Sequence, residues 1–352
     1  MVFEAEIRAK LRTWYLTNRR QLPWRETTDP YRIWVSEIIL QQTRVEQGLD
    51  FYARFLERFP DLESLARSDE EAVLKIWQGL GYYSRARHML EAARQVSRTG
   101  GGKLPGSYAG LLALKGTGPY TAAAVSSIAF GEPRAVVDGN VHRVLSRIYG
   151  IAEVPGAYHG SSAVAGAAEE LLDREEPGIH NQAVMELGAR ICTPRNPGCP
   201  SCPLRDYCLA FREGRIEEFP PRATAPLRRK RYFNYLVARN GQCQWMAPRR
   251  GKDIWQGLYE FPLIETRGEA STVSLRRTRK WKELFPGKAP VPAGVWGPVR
   301  HILSHQEIHA WFHRLPAPEF DSLPGYEKVC PADLERYPVP KLISNYLDRL
   351  SN

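Results

Sequence analysis

The chain lacks the segments that mark membrane and secreted proteins. Its longest apolar runs, such as residues 122–128, fall far short of the roughly 20 residues needed to cross a bilayer. Its first ten residues include four charged ones and do not form the apolar core of a signal peptide. Low-complexity tracts and repeats of solenoid length are also missing. We therefore expect a cytoplasmic protein, nucleoid-associated if bacterial, without membrane contact.

Acidic side chains are too few to balance the basic ones. The 49 Lys and Arg residues exceed the 39 Asp and Glu residues, which leaves a net charge of +10. A basic surface favours a polyanionic partner, because neutralising phosphates releases their counterions. The length of 352 residues exceeds that of most single cores, and about two or three domains is the usual division.

Cysteine is scarce outside one cluster. Four of the six cysteines fall within seventeen residues, spaced C-x6-C-x2-C-x5-C, and Cys243 and Cys330 stand apart. Structural disulfides are not expected in a long intracellular chain. Four thiolates on a short, proline-containing loop predict a metal site, and either tetrahedral zinc or a [4Fe-4S] cube satisfies this spacing. The clustered residues are Cys192, Cys199, Cys202 and Cys208.

The periodicity of apolar residues divides the chain into an all-α region and an α+β module. Apolar residues at three- and four-residue spacing predict helices at 32–59, 70–97, 108–130, 141–149 and 161–174. Short aromatic-rich segments predict strands at 232–238, 243–246, 258–263 and 308–315, with helices at 272–284 and 340–350. The proline-rich, basic stretch between them predicts three parts: 1–215, a linker at 216–230, and 231–352.

A glycine pair within residues 111–122 indicates a helix-hairpin-helix. Gly116 and Gly118 permit a tight turn, and the amides that begin the next helix can bind a DNA phosphate without reading base sequence. The alternative is a plain turn between packed helices.

Two carboxylates are candidates for chemistry. Asp138 precedes Gly139 and Asn140 at the start of a predicted helix, which is typical of an ordinary N-cap. An ionised carboxylate held there by helix amides could also stabilise positive charge that develops on a sugar.

Glu37 is the second candidate. Its neighbours at three- and four-residue spacing are mainly apolar, among them Ile33, Trp34 and Leu40. Desolvation raises the pKa of a carboxyl group and favours the protonated acid that a leaving base requires. The alternative is a solvent-exposed helical glutamate.

Taken together, these motifs resemble the helix-hairpin-helix DNA glycosylases that include endonuclease III. The resemblance rests on residues 37–43, the Gly-x-Gly hairpin, residues 137–143 and the cysteine loop, and it extends over residues 1–215. It implies a [4Fe-4S] cluster rather than zinc. Members that also cleave the strand carry a lysine where this chain has Tyr120, so a Schiff-base lyase mechanism is disfavoured.

Within that superfamily the chain looks like the MutY family of adenine glycosylases. The motifs lie at residues 22–25, 41–43, 79–87, 116–121 and 181–188. The resemblance implies a monomer that removes adenine paired with 8-oxoguanine or guanine in duplex DNA. A related glycosylase for mismatched or oxidised pyrimidines is the nearest alternative. A non-catalytic DNA-binding scaffold is a third, although the presence of both Glu37 and Asp138 argues against it.

The same resemblance implies a role for each motif residue. Glu37 would protonate adenine N7, Asp138 would stabilise the oxocarbenium ion or its covalent successor, and extrusion of the base would cost a few kcal/mol. The residues implied to hold the reacting nucleotide are Tyr120 and Asn140. Those implied to line the adenine pocket are Trp24, Arg25 and Gln182. Those implied to contact DNA are Gln42, Thr43, Tyr82, Gly116 and Gly118, with Gln42 and Tyr82 as wedges.

The C-terminal module resembles a Nudix domain at residues 255–262. The run of metal-binding acids that should follow is replaced by basic residues between 276 and 282, which favours DNA contact over pyrophosphate hydrolysis; a solvated helix face is the alternative. The MutY family uses a Phe-Ser-His loop to recognise 8-oxoguanine. The corresponding residues here are Leu303, Ser304 and His305. The resemblance implies that Ser304 and His305 contact 8-oxoguanine, and Leu303 stands in place of the phenylalanine.

Overall fold

The computed structural model describes residues 2–99, 101–154, 162–222, 227–286, 290–316 and 322–351. It divides into two compact units, Met1–Arg67 with His88–Thr224, and Ser68–Arg87 with Ala225–Asn352. Part of the linker predicted at 216–230, residues 223–226, lies outside the described residues, and so does the first residue of the helix predicted at 161–174. The predicted limits 1–215, 216–230 and 231–352 stay predictions.

Helices account for the regular structure before residue 213, and no strand occurs among the described residues there. None of the described helices is both long and apolar enough to cross a membrane. In chain order the helices are α1 (Val2–Asn18), α2 (Pro30–Leu40), α3 (Val45–Arg58), α4 (Leu62–Arg67), α5 (Glu70–Ile76), α6 (Ser84–Thr99), α7 (Tyr108–Leu112), α8 (Pro119–Phe130), α9 (Gly139–Tyr149), α10 (Ala163–Leu171), α11 (Pro177–Arg190) and α12 (Leu209–Arg212).

Three long predicted helices are each interrupted. The segment 32–59 divides into α2 and α3 at residues 41–44, 70–97 divides into α5 and α6, and 108–130 divides into α7 and α8 at the Gly-x-Gly hairpin. In the hairpin Gly116 has φ 76°, and a Cβ there would lie 2.5 Å from the Cβ of His88. Only glycine fits that turn without strain.

The core of the first unit lies where α11 packs against α1, α8 and α9, while α2 packs against α3 and α8. Ile7, Leu11 and Tyr15 of α1 are buried there with Val144 of α9 and Leu187 of α11. This packing brings one face of α11 and one face of α2 toward the start of α8 and α9.

The second unit contains two small sheets. Four strands form a mixed sheet in the order β5-β1-β7-β6, in which β1 and β7 are parallel and the other pairs antiparallel. The second sheet has the order β2-β3-β4, with β8 also paired to β3. The elements are β1 (Arg229–Val237), β2 (Arg239–Asn240), β3 (Cys243–Pro248), β4 (Tyr259–Glu260), β5 (Leu263–Thr266), α13 (Thr272–Arg276), α14 (Arg279–Leu284), β6 (Gly294–Ile302), β7 (Gln306–Arg314), β8 (Glu327–Val329) and α15 (Lys341–Ser351).

Several boundaries in this unit differ from the prediction. The strand expected at 258–263 is two strands, β4 and β5, and the helix expected at 272–284 divides where Thr278 caps α14. Strand β6 was not predicted: its half-buried and exposed residues alternate, but a bulge between Trp296 and Val299, occupied by Gly297 and Pro298, shifts the alternation within the strand. Period-two alternation is the signal on which strand prediction depends.

The expectation that no structural disulfide forms is wrong, because Cys243 and Cys330 are bonded to each other. Antiparallel pairing of β3 with β8 sets Gln244 opposite Val329, so the next pair outward is Cys243 and Cys330, with Cα atoms 4.0 Å apart. The two residues are 87 positions apart in the sequence. Only the strand register brings them together.

Candidate active site

An open cleft of about 710 Å³ lies in the first unit. Its walls are the turn between α2 and α3, the glycine hairpin that starts α8, and the N-terminus of α9. Among the residues predicted from the sequence, seven line it: Gln42, Thr43, Gly116, Gly118, Tyr120, Asp138 and Asn140. The break in the predicted long helix therefore supplies one wall of the site.

Glu37 is buried on α2, with 7% of its surface exposed, which confirms the predicted burial and contradicts the exposed alternative. The Tyr120 hydroxyl donates a hydrogen bond of 2.7 Å to Oε2 of Glu37 and so connects it to the cleft wall. The pKa of Glu37 is raised to about 7: burial is the main cause and Asp138 adds to the rise, whereas the Tyr120 hydrogen bond and Arg25 oppose it. A carboxyl group with this pKa can donate a proton near neutral pH.

Asp138 caps α9, as the ordinary interpretation predicted. Its Oδ1 accepts from the backbone N–H groups of Asn140 at 2.8 Å and Val141 at 2.7 Å, and its Oδ2 accepts from Nδ2 of Asn140 at 2.8 Å. Burial raises the pKa of Asp138, and these hydrogen bonds oppose the rise. Because Asp138 also lines the cleft, capping and a role in the reaction are compatible.

Arg143, the last residue of the 137–143 motif, has four hydrogen-bond partners, and one of them is the carbonyl of Gly139, which accepts from its Nη1 at 3.2 Å. Its Nη2 donates to Oδ1 of Asn140 at 2.9 Å and to the carbonyl of Gly188 at 2.8 Å, and its Nε donates to the carbonyl of Cys192 at 2.6 Å. Arg143 thus links Asn140, which is predicted to hold the nucleotide, to Cys192, the first of the four clustered cysteines.

The residues predicted for the adenine pocket do not line the open cleft. Arg25 follows Trp24 in a short 3₁₀ turn, and both side chains are 7% exposed. Trp24 packs edge-on against Tyr52 of α3, with ring centroids 5.2 Å apart. Gln182 of α11 accepts a hydrogen bond from the hydroxyl of Tyr15 at 3.2 Å, and Arg25 lies over the ring of Tyr15.

Glu186, one turn after Gln182 on α11, was also missed as a functional residue. It is completely buried and accepts hydrogen bonds from Arg20 and Arg25. Burial acts to raise the pKa of Glu186, but the hydrogen bonds from the two arginines lower it to about 2. A glutamate four residues after a motif glutamine carries no distinctive signal in a single sequence.

Both predicted wedge residues have backbone conformations that are rare for residues other than glycine. Gln42 has φ 57° and Tyr82 has φ 46°, and both are exposed. Side chains other than glycine adopt positive φ at a cost, and such positions concentrate at functional sites. Arg85 supports the Tyr82 turn: it lies over the rings of Trp77 and Tyr82 and donates to the carbonyl of Gly81 at 3.2 Å.

A separate cleft of about 400 Å³ lies in the second unit. Tyr82, Trp255, Leu303, Ser304 and His305 line it, so the structure brings together a predicted wedge and both predicted base contacts. The Ser304 hydroxyl lies 3.1 Å from Nδ1 of His305, and both residues are exposed in the loop between β6 and β7.

The four clustered cysteines line one cavity in the first unit and are not bonded to one another. Aliphatic side chains of α9 and α11 form part of its wall. Arg147 donates to Sγ of Cys192 at 3.3 Å, and the thiol of Cys208 donates to the carbonyl of Arg147 at 3.3 Å. Within the described ranges, no three or more His, Cys, Asp or Glu side chains converge closely enough to hold a single metal ion.

Family models match both parts of the chain. Residues 35–164 match the family described as HhH-GPD superfamily base excision DNA repair protein, and residues 234–349 match the NUDIX domain. A solved thermostable thymine-DNA glycosylase superposes with a TM-score of 0.54 at 31% identity, covering 60% of this chain and 97% of that one. A trapped endonuclease III–DNA covalent intermediate superposes with a TM-score of 0.51 at 22% identity, covering 60% of this chain and 98% of that one. This likeness supports the fold alone. The predicted fold class is confirmed: a helix-hairpin-helix repair fold followed by a Nudix-like domain.

Curated relatives narrow the class. The adenine DNA glycosylase of Homo sapiens is 35% identical over 88% of this chain and 62% of its own length. That of Rattus norvegicus is 33% identical over 90% of this chain and 72% of its own length. That of Buchnera aphidicola subsp. Schizaphis graminum is 32% identical over 72% of this chain and 74% of its own length. The chain belongs to the family of adenine DNA glycosylases, which confirms the resemblance found in the motifs. It spans less than two thirds of the human relative's length.

Proposed function

We propose that the protein binds duplex DNA and excises adenine paired with 8-oxoguanine or guanine. The observation that carries this proposal is the pair of carboxylates in the first unit. Glu37 has a pKa raised to about 7, and Asp138 lies at a helix N-terminus within the cleft. Two carboxylates in different environments are suited to donating a proton and to stabilising positive charge.

In the proposed reaction Glu37 transfers its proton to N7 of the extruded adenine. The N-glycosidic bond then breaks, its electron pair leaves with the base, and Asp138 stabilises the positive charge on the sugar. Water adds to the anomeric carbon and gives one proton to the Glu37 carboxylate, so that the products are free adenine, an abasic site and the regenerated acid. Tyr120 and Asn140, which are hydrogen-bonded to the two carboxylates, hold the nucleotide.

The proposed enzyme is monofunctional, because the position of a lyase lysine is occupied by Tyr120. The Tyr120 hydroxyl donates to Glu37, and burial raises its pKa well above the ordinary value, so it does not supply an amine or phenolate nucleophile. Arg25, Trp24 and Gln182 are proposed to contact the extruded adenine. Glycine amides of the hairpin and Thr43 are proposed to contact the backbone of the DNA.

Recognition of the base opposite adenine is assigned to the cleft of the second unit. Ser304 and His305 offer hydrogen-bond donors and acceptors there, and Tyr82 offers an exposed aromatic ring. A flat ring beside polar groups can stack on a base while its edge is hydrogen-bonded. Leu303 supplies apolar contact in place of an aromatic residue.

A [4Fe-4S] cluster is the proposed occupant of the cysteine cavity. Four sulphur donors line one cavity, as such a cluster requires, and the motifs shared with endonuclease III favour the cluster over a zinc ion. Cys192, Cys199, Cys202 and Cys208 would hold it. The cluster would bind the loop after α11 into one rigid piece, and no step of base excision passes through it.

The test is a glycosylase assay on duplexes that carry adenine opposite 8-oxoguanine, adenine opposite guanine, thymine opposite guanine, or an oxidised pyrimidine. We expect free adenine from the first two duplexes and strand cleavage only after alkali. Release of thymine or an oxidised pyrimidine, or a strand nick before alkali, would contradict the proposal.

Replacing the proposed acid provides the matched variant. Glu37→Gln keeps the shape of the side chain but removes the proton that leaves with the base. We expect adenine release to fall at least about 1,000-fold, within the range attributed to general acids, while affinity for the 8-oxoguanine duplex stays within about threefold, because phosphates dominate it. Undiminished turnover in this variant would refute the role of Glu37.

A further inference from the structure

Glu186, which is buried beside the proposed adenine pocket, forms ion pairs with Arg20 and Arg25, and Nη1 of Arg190 lies 4.0 Å from its Oε1. Both oxygens of Glu186 are engaged: Oε1 accepts from the backbone and Nε of Arg20 at 3.1 and 2.9 Å, and Oε2 accepts from Nη2 of Arg20 at 2.7 Å and of Arg25 at 2.8 Å. Arg25 also donates to the carbonyl of Arg20 at 3.2 Å. The Glu186 side chain is completely buried, so removing its charge leaves the arginines without their partner.

The charge of Arg25 opposes the protonation of Glu37, and Glu186 compensates for that charge. Its positive charge lowers the pKa of Glu37, whereas acid catalysis requires Glu37 to keep its proton. An unpaired guanidinium in this dry environment would act strongly on a neighbouring carboxyl group. We infer that Glu186 is a positioning residue that holds Arg25 beside the adenine pocket and neutralises its charge, so that Glu37 stays protonated.

The other groups around Glu37 do not perform this function. Tyr120 of α8 donates a hydrogen bond to it, and Asp138 at the start of α9 favours its protonated form. The α3 helix, which packs against α2, contributes Tyr52, whose pKa burial raises to about 12, so it is neutral. Arg25 is the cation that acts on Glu37, and Glu186 is its buried carboxylate partner.

The inference rests on the proposed adenine excision, and the test separates the two. Single-turnover adenine release is measured from pH 5 to 9 in the holoenzyme and in Glu186→Gln, which keeps the side-chain shape without its charge. We expect the alkaline limb of the profile to move about one pH unit lower in the variant, so that the rate at pH 8 falls about tenfold. A purely structural defect would reduce the active fraction at every pH without moving the limb.

A double variant tests whether the shift of the pH profile is caused by the charge of Arg25. Adding Arg25→Gln to Glu186→Gln removes the unpaired cation, so the limb should return toward its original pH even though the rate is lower. Arg20 and Arg190 remain, but 30% and 40% of their side chains are exposed and solvent screens their charges. A limb that stays displaced in the double variant would contradict the action through Arg25.

Glu186→Asp provides a second measurement if the glutamine variant does not fold. It keeps the negative charge and shortens the reach by one methylene group, so the limb should stay within about 0.3 pH unit while the rate falls severalfold. A limb displaced by a full unit in Glu186→Asp, or an unmoved limb in Glu186→Gln, would refute the inference. Failure of the unaltered holoenzyme to release adenine would instead refute the proposed function.

Discussion

At the scale of single residues, the two carboxyl groups of the site have different surroundings. Glu37 is buried on α2 beside Tyr120, no basic side chain among the described residues hydrogen-bonds to it, and its pKa is raised to about 7. Asp138 receives two backbone amides and one side-chain amide, which favour its ionised form against the effect of burial. The raised pKa of Glu37 suits the proton donor of the proposed reaction, and the hydrogen bonds to Asp138 oppose the rise that burial causes in its pKa.

The pH dependence of adenine release follows from these shifts. Activity requires Asp138 ionised and Glu37 protonated, so the rate should rise as pH increases through the pKa of Asp138 and fall as pH passes about 7. Above the pKa of Glu37 we expect the rate of adenine release to fall about tenfold per pH unit. A single-turnover profile from pH 4 to 9 measures both limbs.

The matched variant is Tyr120→Phe. The Tyr120 hydrogen bond lowers the pKa of Glu37, so its removal should move the alkaline limb to higher pH, opposite to the shift expected for Glu186→Gln. A rate that is level from pH 6 to 9 in the unaltered protein would contradict the assignment of Glu37 as the acid.

At the scale of elements, the close approach of α11 to the start of α9 positions the cleft. A Cβ on Gly188 would lie 2.7 Å from the Cβ of Asn140 and 2.9 Å from its carbonyl oxygen. The carbonyl of Gly188 also accepts from Arg143, which in turn holds Asn140. The absence of a side chain at residue 188 is therefore what allows these two helices to meet.

Gly188→Ala tests this contact. The added methyl group must push α11 and α9 apart, which should lower the free energy of unfolding by about 1–3 kcal/mol and reduce single-turnover adenine release about 100-fold, because Asp138 and Asn140 move. Thermal unfolding and the glycosylase assay measure the two effects.

Gly166→Ala in α10 is the control, since nothing lies within 4 Å of a Cβ built there. It should leave activity unchanged and raise the free energy of unfolding by about 0.4–1 kcal/mol. Equal behaviour of the two alanine variants would show that the approach of α11 to α9 does not position the site.

At the scale of the whole molecule, the two units hold different parts of the proposed function. The first unit contains the carboxylates and the cysteine cavity, and the second contains the cleft lined by Tyr82, Ser304 and His305. Excision and recognition of the opposite base are therefore separable by substitution.

Replacing Ser304 and His305 together by alanine should narrow the preference for 8-oxoguanine over guanine. We expect the rate on the 8-oxoguanine duplex to fall about tenfold, as for the loss of one or two hydrogen bonds, and the rate on the guanine duplex to change less than twofold. The ratio of the two single-turnover rates is the measurement. An unchanged ratio would exclude this loop from recognition.

The sequence by itself determined the features that depend on residues close together along the chain. Apolar spacing on one helix predicted the burial of Glu37, and the short cysteine loop predicted a site with four sulphur donors; the change of periodicity predicted the order of an all-α region and an α+β module. Each of these follows from local periodicity or loop length.

Only the tertiary structure decided which distant residues meet. Arg25 and Glu186 are 161 positions apart, Arg143 and Cys192 are 49 apart, and the cysteines of the disulfide are 87 apart. The break at residues 41–44 is likewise not marked by the periodicity, whereas the one at 277–278 coincides with the local cap at Thr278. Helix packing and strand register select such partners, and a single sequence carries no local pattern that records them.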